Sequence, residues 1–98
     1  MIELIASEQF SNWLKNLRDT RARAKIQARI LRLTLGNPGD VKPVGQGISE
    51  MWIAHGPGCR VYYLRRGEAI IILLCGGDKT TQRSDIELAQ AIAFDWKG

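Results

Sequence analysis

Arg60, Lys79, Gln82 and Arg83 stand where this chain can do chemistry on an anion. Arg60 opens a run of β-branched and aromatic residues just after the Gly56-Pro57-Gly58 turn. Lys79, Gln82 and Arg83 follow the apolar run 69–75 and precede a helix N-terminus. A guanidinium offers a planar fork to phosphate oxygens, a lysine adds a point charge, and helix-terminal amides add further donors. Such groups bind a phosphodiester and stabilise the extra charge of a pentacoordinate phosphorane, each well-placed donor being worth about 3 kcal/mol with no metal involved. On RNA the attacking group is the neighbouring 2′-hydroxyl, which DNA lacks.

Each of these residues also has a purely structural reading. Arg60 can pair across a sheet with Glu50 or Asp78, a reading as well supported by the sequence as phosphate contact. Lys79 and Arg83 can be solvated loop cations. His55, beside a turn, is either a hydrogen-bonded structural histidine or a general acid–base of the type that exchanges protons near neutral pH. Tyr62 shares the face of Arg60 and either packs in the core or offers a stacking platform to a base. Trp13 and Trp96 read as core. No Ser/His/Asp or Cys/His set, P-loop or HExxH is present, which sets aside the corresponding enzyme classes. Cys59 and Cys75 lack CxxC spacing and His55 is the only histidine, so neither a metal site nor a cofactor is expected.

The elements that must position these residues fit one domain spanning 1–98. With 98 residues, 45% hydrophobic and 24% charged, the chain can bury roughly two-thirds of its unfolded surface around one core. No apolar run approaches the roughly 20 residues of a membrane helix, and the start lacks the pattern of a signal peptide, so a cytoplasmic location without a membrane partner is expected. Fourteen Lys and Arg against ten Asp and Glu give a net charge of +4, which favours an anionic partner. Half of the positive charge, Lys15, Arg18, Arg21, Arg23, Lys25, Arg29 and Arg32, falls on two helical segments opposed by Asp19 alone. That stripe is either a solvated face or a track for an RNA backbone.

Ile2, Leu4 and Ala6 alternate as a short strand up to Ser7, a suitable helix cap. Phe10, Trp13, Leu14 and Leu17 predict a helix over 8–18, and Ala22, Ile26, Ile30 and Leu33 predict a second, stopped at Gly36-Asn37-Pro38-Gly39. The two are expected to form a helical hairpin. From Asp40 the period falls to two: a weak strand over 41–44, a strand over 48–54 with Ile48, Glu50, Trp52 and Ala54 on one face, and a hairpin of 59–65 with 69–75 turning at Arg66-Gly67. That register sets Cys59 opposite Leu74 and the two thiols on opposite faces. The all-apolar run 70–74 suits a central strand covered on both sides. Ser84-Asp85-Ile86-Glu87 has capping-box spacing and predicts a final helix from Ser84 carrying Ala89, Ile92, Ala93 and Trp96. The fold class is α+β in the order β-α-α-β-β-β-β-α, with the N-terminal strand and helical hairpin packed on a mostly antiparallel sheet.

This order, together with Gly36-Asn37-Pro38-Gly39-Asp40, the segment Gly56-Pro57-Gly58-Cys59-Arg60-Val61-Tyr62-Tyr63 and the segment Leu74-Cys75-Gly76-Gly77-Asp78-Lys79-Thr80-Thr81-Gln82, resembles the HigB-like addiction-module killer proteins of the RelE/ParE toxin superfamily over nearly the whole chain. The resemblance implies a toxin neutralised by a co-encoded helix-turn-helix antitoxin. RelE-like members cut mRNA on the ribosome, whereas ParE-like members poison DNA gyrase. Arg60 falls where RelE-like nucleases keep an arginine for the scissile phosphate, and Lys79 falls near their second cation. Trp52 and Ala54 occupy the strand that carries paired lysines there, and Glu87 lies near the place of a C-terminal tyrosine, so His55 or Glu50 is left as general base. The leading expectation is a ribosome-dependent mRNA endoribonuclease that inhibits translation, with Arg60, Lys79 and His55 catalytic and Lys42, Gln82, Arg83 and Tyr62 binding RNA. The alternatives are a gyrase-binding toxin and an inactive antitoxin-binding remnant.

Overall fold

The computed structural model describes residues 2–96. The elements follow the expected order: β1 (Glu3–Ala6), α1 (Glu8–Lys15), α2 (Thr20–Thr34), β2 (Val41–Pro43), β3 (Ile48–Ile53), β4 (Cys59–Arg66), β5 (Ile70–Asp78), a short 3₁₀ turn (Lys79–Thr81) and α3 (Gln82–Asp95). The fold is α+β. Its five strands form one mixed sheet in the order β1-β5-β4-β3-β2, with β1 parallel to β5 and every other pair antiparallel.

The sheet is covered on both faces. On one face α1 and α2 bury Phe10, Ile26, Ile30 and Leu33 against Met51, Ile53, Val61, Tyr63, Ile71 and Leu73. On the other, α3 lays Ala89 and Ile92 over Ile48, Tyr62, Ile72, Leu74 and Cys75. Successive residues of β5 thus serve opposite cores, which is why 70–74 carries no polar residue. Ser7 joins two layers: its hydroxyl accepts from Phe10 N at 3.0 Å, capping α1, and donates to the Leu74 carbonyl at 2.6 Å.

Four expectations need correction. First, α1 stops at Lys15, not at 18, with Asn16 N–H bonded to the carbonyls of Asn12 and Leu14; Leu17 still packs on the core from the linker. Second, the β4–β5 hairpin closes through the loop 67–69, longer than two residues, with Gly67 at φ +62°, and a bulge at Tyr62/Tyr63 shifts the register again. Cys59 therefore faces Asp78 and Arg60 faces Gly77, although the thiols do lie on opposite faces. Third, α3 begins at Gln82, not Ser84. The capping box is formed by Asp78 and Thr81, and the Ser84 hydroxyl donates back to the Thr81 carbonyl at 3.0 Å. Fourth, the second strand of the sheet ends at Pro43, on the sheet edge, where a missing N–H costs nothing.

Paired glycines let the layers close where β5 ends. A Cβ on Gly76 would run into the Trp13 ring on one face, and one on Gly77 into Asp85 Oδ2 on the other. Among the described residues no helix is long and apolar enough to cross a membrane.

Candidate functional site

Four of the residues expected at a site meet at a carboxylate. Glu50, in the middle of β3, is 3% exposed. Its Oε2 accepts from Tyr62 Oη and from Gln82 Nε2, each at 2.9 Å. Its Oε1 lies 3.6 Å from Lys42 Nζ and 3.9 Å from Arg60 Nε. The sheet register makes this convergence: Glu50 is paired with Lys42 on β2 and with Tyr62 on β4, and Arg60 sits two residues along β4 on the same face. Gln82 arrives from the first turn of α3. A buried carboxylate needs such partners, since an isolated charge in the interior is costly.

The two ion pairs are not equivalent. Lys42 is 65% exposed and its pair is screened by water, whereas the Arg60 side chain is only 13% exposed. Arg60 Nε and Nη1 are buried and have no hydrogen-bond partner among the described residues. Their guanidinium lines a cleft of about 270 Å³ formed by Asp40, Val41, Lys42, Glu50, Trp52 and Arg60. Those two atoms are closed off from solvent, so only the small exposed remainder of the Arg60 side chain, at the cleft wall, can meet an external anion.

Tyr62 is fully buried, so its ring packs in the core and offers no stacking surface. Burial and the hydrogen bond to Glu50 push its phenol far above the ordinary range, keeping it a proton donor. Gln82 is committed to Glu50. Lys79 is exposed at the start of the 3₁₀ turn, two residues past Gly77, the cross-strand partner of Arg60; Arg83 is exposed one turn into the same end. The Lys79 loop is shaped by Asp78, whose Oδ1 accepts from the amides of Thr80 and Thr81 and from the Thr80 hydroxyl. Those bonds, the Thr80 hydroxyl first, hold the Asp78 carboxyl below its ordinary range.

His55 is not brought to this cleft. Its Nε2 lies 2.8 Å from Asp19 Oδ2. Both line a separate cleft of about 390 Å³ with Trp13, Cys59, Gly76 and Asp78. Asp19 also caps α2 by accepting from Arg21 N and Ala22 N. The bond from His55 and these amide bonds lower the Asp19 carboxyl below its usual range. A larger groove of about 450 Å³, lined by Leu4, Phe10, Leu14, Ile30 and Leu73 with Lys15 and Arg23, is mainly apolar and lies away from Arg60.

Part of the basic helical stripe is structural. Arg29 donates to the carbonyls of Trp52 at 2.8 Å and Pro38 at 3.0 Å, tying α2 to β3 and to the 36–40 turn. Arg23 donates to the carbonyls of Lys15 and Leu17, and Lys25 reaches Ala54 O at 3.4 Å. Lys15, Arg18, Arg21 and Arg32 are exposed.

No protein-family model matches the chain. It is similar to a conserved hypothetical protein of Helicobacter pylori of known solution structure, at 21% identity and a TM-score of 0.49, over 82% of this chain and 97% of that one. It is 48% identical over 92 residues to an uncharacterized protein of Haemophilus influenzae, an alignment that covers 94% of this chain and 93% of that protein. At that identity and near-complete mutual coverage, the chain belongs to the same family as the Haemophilus protein.

Proposed function

We propose that this protein is the toxin of a type II toxin–antitoxin pair, acting in the cytoplasm as a ribosome-dependent mRNA endoribonuclease without metal or organic cofactor. The observation that carries the reading is Arg60, held beside Glu50 with its side chain 13% exposed, in the lining of a cleft that also holds Lys42. The resemblance to RelE-like nucleases supplies the substrate and the ribosome. A helix-turn-helix antitoxin is the expected partner.

In this reading Arg60 binds the non-bridging oxygens of the scissile phosphate, and Lys79 adds charge from the 3₁₀ turn. The 2′-oxygen attacks phosphorus, the bond to the 5′-oxygen breaks, and the 2′-hydroxyl proton passes through solvent to the leaving oxygen. The products are a 2′,3′-cyclic phosphate and a 5′-hydroxyl end. Charge stabilisation carries the rate. His55 is engaged by Asp19 in another cleft, Tyr62 holds its proton, and Glu50 is surrounded by donors, so Glu50 acts as the residue that positions Arg60, Lys42 and Gln82. Primer extension on a reporter mRNA in a reconstituted translation reaction, with and without ribosomes, tests the reading. Cuts that require ribosomes and fall about ten- to a thousandfold in Arg60→Ala and Lys79→Ala are expected.

The same crowding of Glu50 and capture of His55 favours a second reading, a toxin that acts by binding a protein such as DNA gyrase. It predicts intact mRNA, gyrase-trapped DNA and a DNA-damage response on expression. An inactive antitoxin-binding remnant predicts harmless overexpression.

A further inference from the structure

Trp52 is a large aromatic residue set at the mouth of the charged cleft and left 40% exposed. The other exposed large apolar side chains do not line this cleft: Leu4 lies on β1, and Leu31, Leu35, Leu88 and Phe94 lie on or just past helices. Trp52 is also held firmly. Its N–H donates to Asp40 O at 3.0 Å, its carbonyl accepts from Arg29 Nη1 at 2.8 Å, and across the strands it is paired with Arg60 itself. On its ring side sits Gly58, at φ +94°, where a Cβ would come within 2.7 Å of the indole Nε1. A glycine in the Gly-Pro-Gly turn therefore makes the space the indole occupies, while part of the ring still faces solvent.

The charges in the cleft narrow what would bind there. Lys42 and Arg60 are matched by Asp40 and Glu50, so the lining has no formal excess of positive charge. Inorganic phosphate would gain little beyond the exposed part of the Arg60 side chain. A ligand that joins a singly charged phosphodiester to a flat apolar ring gains from both features, because stacking on an aromatic side chain adds affinity that does not depend on charge. We infer that Trp52 is the base-stacking platform of a single-stranded RNA site, with the phosphate of the stacked nucleotide on Arg60. This rests on the reading of the cleft as an RNA phosphodiester site.

The test is fluorescence anisotropy at low salt with two labelled probes: a short single-stranded oligoribonucleotide made uncleavable by 2′-O-methyl groups, and the same backbone without bases. Wild-type protein should bind the base-bearing probe more tightly than the abasic one. Trp52→Ala should weaken the base-bearing probe about tenfold or more and leave the abasic probe unchanged, while Trp52→Phe, which keeps a ring, should stay within about threefold of wild type. Base-bearing RNA bound equally by wild type and Trp52→Ala would overturn the stacking role and leave the phosphate site standing. Loss of both probes in Trp52→Ala and Trp52→Phe alike would also overturn it, marking Trp52 as structural. Failure of wild-type protein to bind either probe would overturn the cleft as a single-stranded RNA site with Trp52 as its platform, while the ribosome-dependent reading stands or falls on primer extension.

Discussion

Deleting the Glu50 carboxylate would strand Tyr62 Oη, Gln82 Nε2 and an almost buried Arg60 without their acceptor. Glu50→Ala is therefore expected to destabilise the fold by about 3–5 kcal/mol, the cost of leaving a buried charge unpaired. Tyr62→Phe removes one hydrogen bond to a charged group and should cost about 1.5–3 kcal/mol. Urea denaturation of both variants against wild type measures this, and a Glu50→Ala protein as stable as wild type would contradict the assigned network. At the alkaline end, burial raises the Cys75 thiol from 9.0 to about 12, and burial with the Glu50 bond raises Tyr62 as well. Both groups favour the protonated folded state, so their stabilisation is complete below pH 9 and is lost as the pH climbs from there toward 12. The denaturation midpoint should fall across that window, with Cys75 inert to thiol reagents at pH 8 in the native protein. The pairing of Arg60 with Glu50 was legible in the sequence as one of two cross-strand partnerships open to Arg60. Glu50 as the common partner of Arg60, Lys42 and Gln82 was harder to see: the sharing depends on the registers of three strands and on where α3 starts. A carboxylate on the same face as Ile48 was the available signal. The choice of Asp19 by His55 joins residues 36 positions apart and leaves no local trace.

Between elements, the end of β5 is the least tolerant place in the fold. Gly76→Ala would drive a methyl into Trp13 of α1, and Gly77→Ala into Asp85 and Thr81, so each should cost roughly 1–3 kcal/mol or more from overpacking. Thermal unfolding of the two variants measures it; wild-type stability in either would mean that the layers close differently. The caps make an acid-side prediction. Asp19 and Asp78 both ionise more readily in the folded chain than their ordinary 3.8, so the stability they lend is present above that pH and is lost as pH falls through their lowered values. Asp78→Asn should shift the acid limb of the pH–stability curve, read by circular dichroism. The buried stripe of α2, Ala22, Ile26, Ile30 and Leu33, follows directly from its sequence spacing. The start of α3 did not, because the 3₁₀ turn that Asp78 caps runs directly into the helix ahead of the Ser84 capping signal. The hairpin register escaped because the loop falls at 67–69 and not at 66–67, which displaces the cross-strand partners by three residues, and the bulge displaces them by one more.

On the scale of the whole molecule, alternating apolar residues and two amphipathic helices leave few ways to bury both faces of one sheet, which is why element order and class were readable from the sequence. The parallel placement of β1 beside β5 brings the chain's first strand onto its last, and Ser7 locks that junction. The resulting frame fixes Arg60 on a strand, not on a loop, with Lys79 at the adjacent strand end and exposed Lys15, Arg18, Arg21 and Arg32 across the helical face. If those helical cations meet ribosomal RNA, association should weaken steeply with salt, and sedimentation of the protein with ribosomes at rising salt measures it. Arg60 is the residue proposed to act on an RNA phosphate. The most direct measurement is primer extension on mRNA translated in a reconstituted system, comparing wild-type protein with Arg60→Ala after circular dichroism has established that both are folded. Wild-type protein should give ribosome-dependent cuts that fall about ten- to a thousandfold in the variant if Arg60 has this role. Equal cutting by a folded Arg60→Ala protein would contradict it.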